Sequence, residues 1–303
     1  MIVRPHPSAF GLLFILRGSI LPAILPRLLA VLIVSAGVVW LHHASPNHLR
    51  DVTAAPFTLL GLALSIFLGF RNNACYERWW EGRKQWGQLV AETRSLVREF
   101  ITLLPEDPAL RQRCAHRVVA FAHVLRGELR DAEDSTARGW LQADEWDRVT
   151  QSRSRPDTMQ FAQARELGVL VRRGELSDIL YRVFSDRLLA MTNIQTACER
   201  LRSTPAPFTY SLLVHRSAWL FCLMLPFGVV STLGLATPIL TTILAYAFFG
   251  LDALGDELEE PFGQSQNALP LDAMVRAIEI ATGEALGEAK LPDALQPQEF
   301  VLL

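Results

Sequence analysis

Three stretches of this chain carry almost no charge, and each is long enough to cross a bilayer. Between Arg27 and Arg50 lie 22 residues without Asp, Glu, Lys or Arg. Val52 to Phe70 adds 19 more. Pro205 to Leu251 gives 47, interrupted only by His215 and Arg216. A membrane-spanning helix needs about 20 mostly apolar residues. The first two stretches fit one span each. The third fits two spans with a tight turn near Gly234-Leu235-Ala236-Thr237-Pro238. Four transmembrane helices are therefore expected, at 23–42, 52–71, 208–232 and 236–254. A soluble core helix that is apolar all round for five turns is uncommon.

The rest of the chain is different. Residues 71–204 carry 22 basic and 19 acidic side chains. Apolar residues recur there at helical spacing: Leu89, Val90, Thr93, Leu96, Val97, Phe100 and Ile101, then Val118, Val119, Ala122 and Leu125, then Leu176, Ile179, Leu180, Val183 and Phe184. That pattern describes amphipathic helices of a water-facing bundle. Breaks fall at Leu104–Pro108, Ser152–Pro156 and Ser203–Pro207, and Asp107 is placed to cap a helix beginning at Pro108. The segment 252–303 has 11 acidic and 2 basic residues, with one helix expected from Pro270 to about Glu288. The organisation reads as 1–71, an N-terminal segment with two spans; 72–204, a helical bundle; 205–254, two further spans; and 255–303, an acidic tail.

Arg4, Arg17 and Arg27 precede the first span, and Arg71, Arg78, Arg83 and Lys84 follow the second. Basic residues flanking spans mark the cytoplasmic side. Both termini and the bundle are expected in the cytoplasm, with the spans in the cell's inner (plasma) membrane. A net charge of −2 excludes a nucleic-acid partner. The four cysteines have no CxxC spacing, and no nucleophile elbow, P-loop, dinucleotide fingerprint or HExxH occurs, so an enzyme is not expected. His116 and His123 share a helix face, where surface histidines are the commoner case than a metal site. His42, His43 and His48 sit near the outer membrane surface.

In the second span, Leu62, Ile66 and Phe70 are spaced by four and share a face. Gly61, Ser65 and Gly69 allow close helix contact on another. Spacing alone leaves lipid, a neighbouring helix or a pore open for the apolar face. Arg216 sits well inside the third span. Reflected through a hairpin centred between 234 and 235 it meets 253, so pairing with Asp252 or Asp256 is expected.

The run Phe67-Leu68-Gly69-Phe70-Arg71-Asn72-Asn73-Ala74-Cys75-Tyr76-Glu77-Arg78-Trp79-Trp80-Glu81-Gly82-Arg83-Lys84-Gln85-Trp86-Gly87 resembles the bestrophin family in its bacterial branch. Gly255-Asp256-Glu257-Leu258-Glu259-Glu260-Pro261-Phe262-Gly263 with Leu269-Pro270-Leu271, and Cys198-Glu199-Arg200-Leu201 with Thr204-Pro205-Ala206-Pro207-Phe208, resemble it too. The resemblance implies an all-α integral membrane protein, a homopentamer around one axial pore, passing small monovalent ions. It implies that Leu62, Ile66 and Phe70 line a hydrophobic neck, and that Leu176 and Ile179 lie at a lower aperture, Ile179 forming its ring. It also favours packing over an interfacial belt for Trp79, Trp80 and Trp86. The family assignment is a chloride or anion channel; with one Phe among the three neck residues, cation conduction stays open. Animal members carry an acidic run after the Pro-Phe-Gly stretch, where this chain has the neutral Gln264-Ser265-Gln266-Asn267. A calcium clasp is accordingly not expected and no cofactor is required; what metal the chain binds, if any, stays open. Asp252, Asp256, Glu257, Glu259 and Glu260 are candidate cation contacts, though a solvated helix end or salt bridges are the commoner case for such acids. A non-conducting membrane scaffold or sensor is the other reading of the whole.

Overall fold

The computed structural model describes residues 1–4, 10–11, 15–16, 18–44, 55–132 and 135–303. Arg17 and His48, used above for orientation and the outer surface, lie outside the described residues. Nine α-helices occur among the described residues: α1 (Leu21–Ala44), α2 (Ala55–Leu103), α3 (Pro108–Leu129), α4 (Ala143–Gln151), α5 (Arg155–Arg172), α6 (Asp178–Ser203), α7 (Phe208–Leu233), α8 (Thr237–Glu259) and α9 (Leu271–Leu286). No strand forms among them, only isolated bridges of Val301 with Ile2 and Gln298.

The helices start and stop where their chemistry dictates. Asp107 Oδ1 accepts from the Ala109 and Leu110 amides at 3.0 and 3.2 Å, with Pro108 in the first turn. Ser177 Oγ accepts from the Leu180 amide and opens α6. Between α7 and α8 the chain turns through a 3-10 segment, Gly234–Ala236, with Gly234 at φ 50° and ψ −123°, which a side chain would strain. Helix α9 ends on Gly287 at φ 72°. Nothing comparable interrupts α2. It runs 49 residues, about 73 Å at the usual rise, through the charged end of the second apolar stretch.

Two compact units make up the chain. One comprises residues 4–79 and 205–260. Its core is built by α1, the first half of α2, α7 and α8, from Ile24, Leu28, Val31, Leu64, Leu68, Val214, Phe221, Phe248 and Phe249 among others. The Phe221 and Phe248 rings meet edge to face at 5.1 Å. Thr241 Oγ1 donates to Ser35 Oγ across α8 and α1 at 3.1 Å, a polar contact of the kind that joins helices in lipid. Gly228 brings α7 so close to α2 that a Cβ there would lie 2.3 Å from the Phe57 ring. Three helical stretches, 21–44, 55–103 and 208–259, are long and apolar enough to cross a membrane, the third containing both α7 and α8.

The other unit comprises residues 1–3, 80–204 and 261–303. Leu89, Thr93, Leu96, Val97 and Phe100 of α2 are buried, as are Val118, Val119, Ala122 and Leu125 of α3. Phe100 stacks on Phe184 at 5.3 Å. The third expected stripe is only half right: Leu176 and Phe184 are buried, but Ile179 stands out of the core. Trp86 is fully buried, Trp79 stacks on Tyr76 and Trp80 stays half exposed. His116 and His123 part ways, towards Glu288 and Glu279 respectively. No group of three His, Cys, Asp or Glu able to hold a metal occurs among the described residues.

Candidate conduction path and the ion-pair cluster beside it

Helix α2 has two opposed faces. Leu64, Leu68, Arg71 and Cys75, at steps of four, three and four, are all buried. Leu62, Ile66 and Phe70 lie two residues out of phase, about 200° round the helix from Leu64 and Leu68. Their side chains are 60, 49 and 67% exposed in the protomer. The three form a continuous apolar row that no other part of the chain covers among the described residues. Of the small residues, Gly61 takes the Phe221 ring and Ser65 bonds back to the Gly61 carbonyl. A Cβ added at Gly69 would meet nothing within 4 Å among the described residues.

Two devices fix the rotation of this helix. Tyr210 of α7 donates its hydroxyl to the Phe67 carbonyl at 2.9 Å, between the levels of Ile66 and Phe70. One residue beyond Phe70, Arg71 enters a cluster of acids at the end of α8. Its Nη1 donates to the backbone O and Oδ1 of Asp252, both at 3.1 Å. Its Nη2 donates to Asp256 Oδ1 at 2.5 Å and to Glu259 Oε2 at 3.3 Å. Asp252 Oδ2 in turn meets Arg27 Nη1 at 3.3 Å and His215 Nδ1 at 2.7 Å. Gly255 makes room for this: a Cβ there would lie 2.8 Å from Asn72 Oδ1 and 3.1 Å from Arg71 Nη1. Glu259 Oε1 also accepts from the Ala206 amide at 3.0 Å, tying the entry to α7 to the exit of α8.

This cluster bears on two expectations. Asp252, Asp256 and Glu259 converge on Arg71 as salt bridges, the commoner case, rather than as cation ligands. Glu257 is half-buried and Glu260 exposed at the helix end. Arg216 is exposed and makes no ion pair among the described residues. Its neighbour His215 meets Asp252 instead. The hairpin reflection found the right level along the helix but not the right side, since consecutive residues point about 100° apart.

In the other unit, α6 begins at Asp178, and Ile179 in its first turn is 79% exposed. Leu176, one residue before the Ser177 cap, is 4% exposed. It packs inward, which leaves Ile179 as the exposed one of the two residues expected at the aperture. Arg71, Arg27, His215 and Tyr210 were not singled out as supports from the sequence. The available signal was a charged residue, Arg71, continuing the buried 64–68 stripe.

An all-helical protein with several bilayer-length apolar helices is a membrane protein. The family described as Bacterial/Fungal Bestrophin protein matches residues 1–284, and the chain belongs to it. It is 45% identical over 301 residues to a voltage-dependent anion channel-forming protein of Mesorhizobium japonicum, covering 99% of this chain and 96% of that one. It is 41% identical over 304 residues to the voltage-dependent anion channel-forming protein YneE of Escherichia coli K12, covering all of both. The crystal structure of a bacterial bestrophin homolog from Klebsiella pneumoniae superposes with a TM-score of 0.85 at 35% identity, over 88% of this chain and 100% of that one.

Proposed function

We propose that this protein is an ion channel of the bestrophin type, with five copies around one axial pore that passes small monovalent ions passively. The observation that carries the reading is the uncovered row Leu62, Ile66 and Phe70 opposite the packed face of α2. Five such rows form three apolar rings spanning about 12 Å. Such a constriction gates by whether it wets, because an ion stripped of water there finds no replacing polar group. Ile179 forms a second ring on the cytoplasmic side. The chain crosses the membrane four times, through α1, the first half of α2, α7 and α8. Both termini and the bundle are cytoplasmic and the membrane is the inner one. Its partners are the ions, the lipid and its own copies, and it is a channel rather than an enzyme.

The shared name of the relatives supports anions as the conducted species. Conduction of monovalent cations is the second reading. Leu62 and Ile66 are aliphatic and select neither sign, and the exposed Asp178 carboxylate stands next to Ile179. The purified protein in planar bilayers under a potassium chloride gradient tests both. Single-channel currents that reverse near the chloride potential support the first reading, and reversal near the potassium potential supports the second. Intact oligomers that carry no current support a scaffold and overturn the channel.

A further inference from the structure

Helices α3, α4 and α5 of the bundle line a half-open cavity of about 520 Å³ that the conduction path does not use. Five arginines line it, Arg113, Arg117, Arg148, Arg165 and Arg173, with four carboxylates, Asp107, Glu145, Glu166 and Glu175. Several of these charges are already spoken for. Arg113 and Arg117 both hold Glu166, and Arg117 Nε also donates to Glu145 Oε1 at 2.9 Å. Asp107 caps α3, and Arg148 pairs with Asp144 at 2.9 Å. Arg165 and Arg173 are exposed and have no ion pair among the described residues. On the wall, the Phe161 ring is 68% exposed.

We propose that this cavity binds a mononucleotide. Phe161 and Arg165 are one helical step apart on α5, about 6 Å along its axis, and Arg173 lies about 12 Å beyond Arg165. A planar base on the Phe161 ring therefore has two free guanidinium groups further along the same wall. Guanidinium groups recognise phosphate in bidentate fashion. The lining counts five arginines against four carboxylates, a net positive charge that suits a phosphate monoester, which carries about −1.5 to −2 at neutral pH. The volume falls within the range of small-molecule sites, about 300–1,000 Å³, and exceeds what an inorganic anion needs.

Calorimetric titration of the purified full chain with adenosine 5′-monophosphate tests this, with inorganic phosphate and adenosine titrated separately. The nucleotide should bind saturably, one per chain, and more tightly than either part. R165A/R173A should weaken it about tenfold or more, since two charge-assisted contacts are lost. F161A should weaken the nucleotide while leaving phosphate unchanged, and R182A, on the exposed surface of α6, should change nothing. All these side chains reach the surface, and unchanged circular dichroism and melting establish that each variant is folded. Absence of saturable nucleotide binding to folded protein, phosphate binding as tightly as the nucleotide, or an affinity unchanged in R165A/R173A would overturn the proposal.

Discussion

Arg71 Nη1 lies 3.1 Å from Asp252 Oδ1, and the two side chains are 2 and 1% exposed. The pair joins α2 to α8 one residue beyond Phe70, so it holds the rotation that presents the 62–66–70 row away from the core. Breaking a buried pair by removing one partner costs about 3–5 kcal/mol, because the other charge is left uncompensated. R71M should lower the melting temperature of the detergent-solubilised protein strongly, and D252N should do the same. The double variant should lose less than the sum of the two, by over about 1 kcal/mol. Additive losses would mean that the contact does not couple the helices.

Gly228 and Phe57 set the distance between α7 and α2 at their other end. A Cβ at 228 would sit 2.3 Å from the Phe57 ring, so G228A forces the ring or the helix to move. Overpacking of this kind costs about 1–3 kcal/mol. F57L should recover part of the loss in the G228A background and destabilise an otherwise unchanged chain. Melting curves of the four proteins decide it, and no recovery in the double variant would contradict the packing.

Acid should loosen the bundle through Glu166. Burial alone would raise its carboxyl, but the hydrogen bonds and charges of Arg113 and Arg117 outweigh that and hold it below the ordinary 4.5. A carboxyl lowered by folding stabilises the native state above its unfolded value. That contribution is lost as pH falls below 4.5 and through the lower folded value. The melting temperature should therefore hold from neutral pH to about 4.5 and drop as the pH falls below it. E166Q should melt lower at neutral pH yet show a smaller drop with acid. An equal drop in both proteins would assign the acid sensitivity elsewhere.

The helices were readable in the sequence wherever a local signal marks their ends. The charge-free stretches, the Gly234 turn, the Asp107 cap and the stripe from Leu89 to Phe100 need only periodicity and end chemistry. The supports of the apolar row were not readable, because they depend on azimuth between helices distant in sequence. Arg71 meets Asp252 across 181 positions. Whether His215 or Arg216 faces that acid turns on about 100° of helix rotation, which a reflection through the hairpin cannot supply. Ile179 illustrates the same limit. Its spacing fits a core stripe with Val183, but the helix begins at Asp178, and Ile179 in its first turn lies beyond the neighbours that bury Phe184.

The row Leu62, Ile66 and Phe70 is the limiting constriction of the proposed pore, and single-channel recording of L62A/I66A/F70A decides it. Shortening all three rings should widen the apolar segment and let it wet, raising conductance several-fold over the unsubstituted channel. L64A, on the buried face, should lower stability by about 2–5 kcal/mol and leave unit conductance unchanged where the proposed pentamer still assembles. A triple variant that assembles normally and conducts no better than the unsubstituted protein would contradict the assignment of these residues to the limiting constriction.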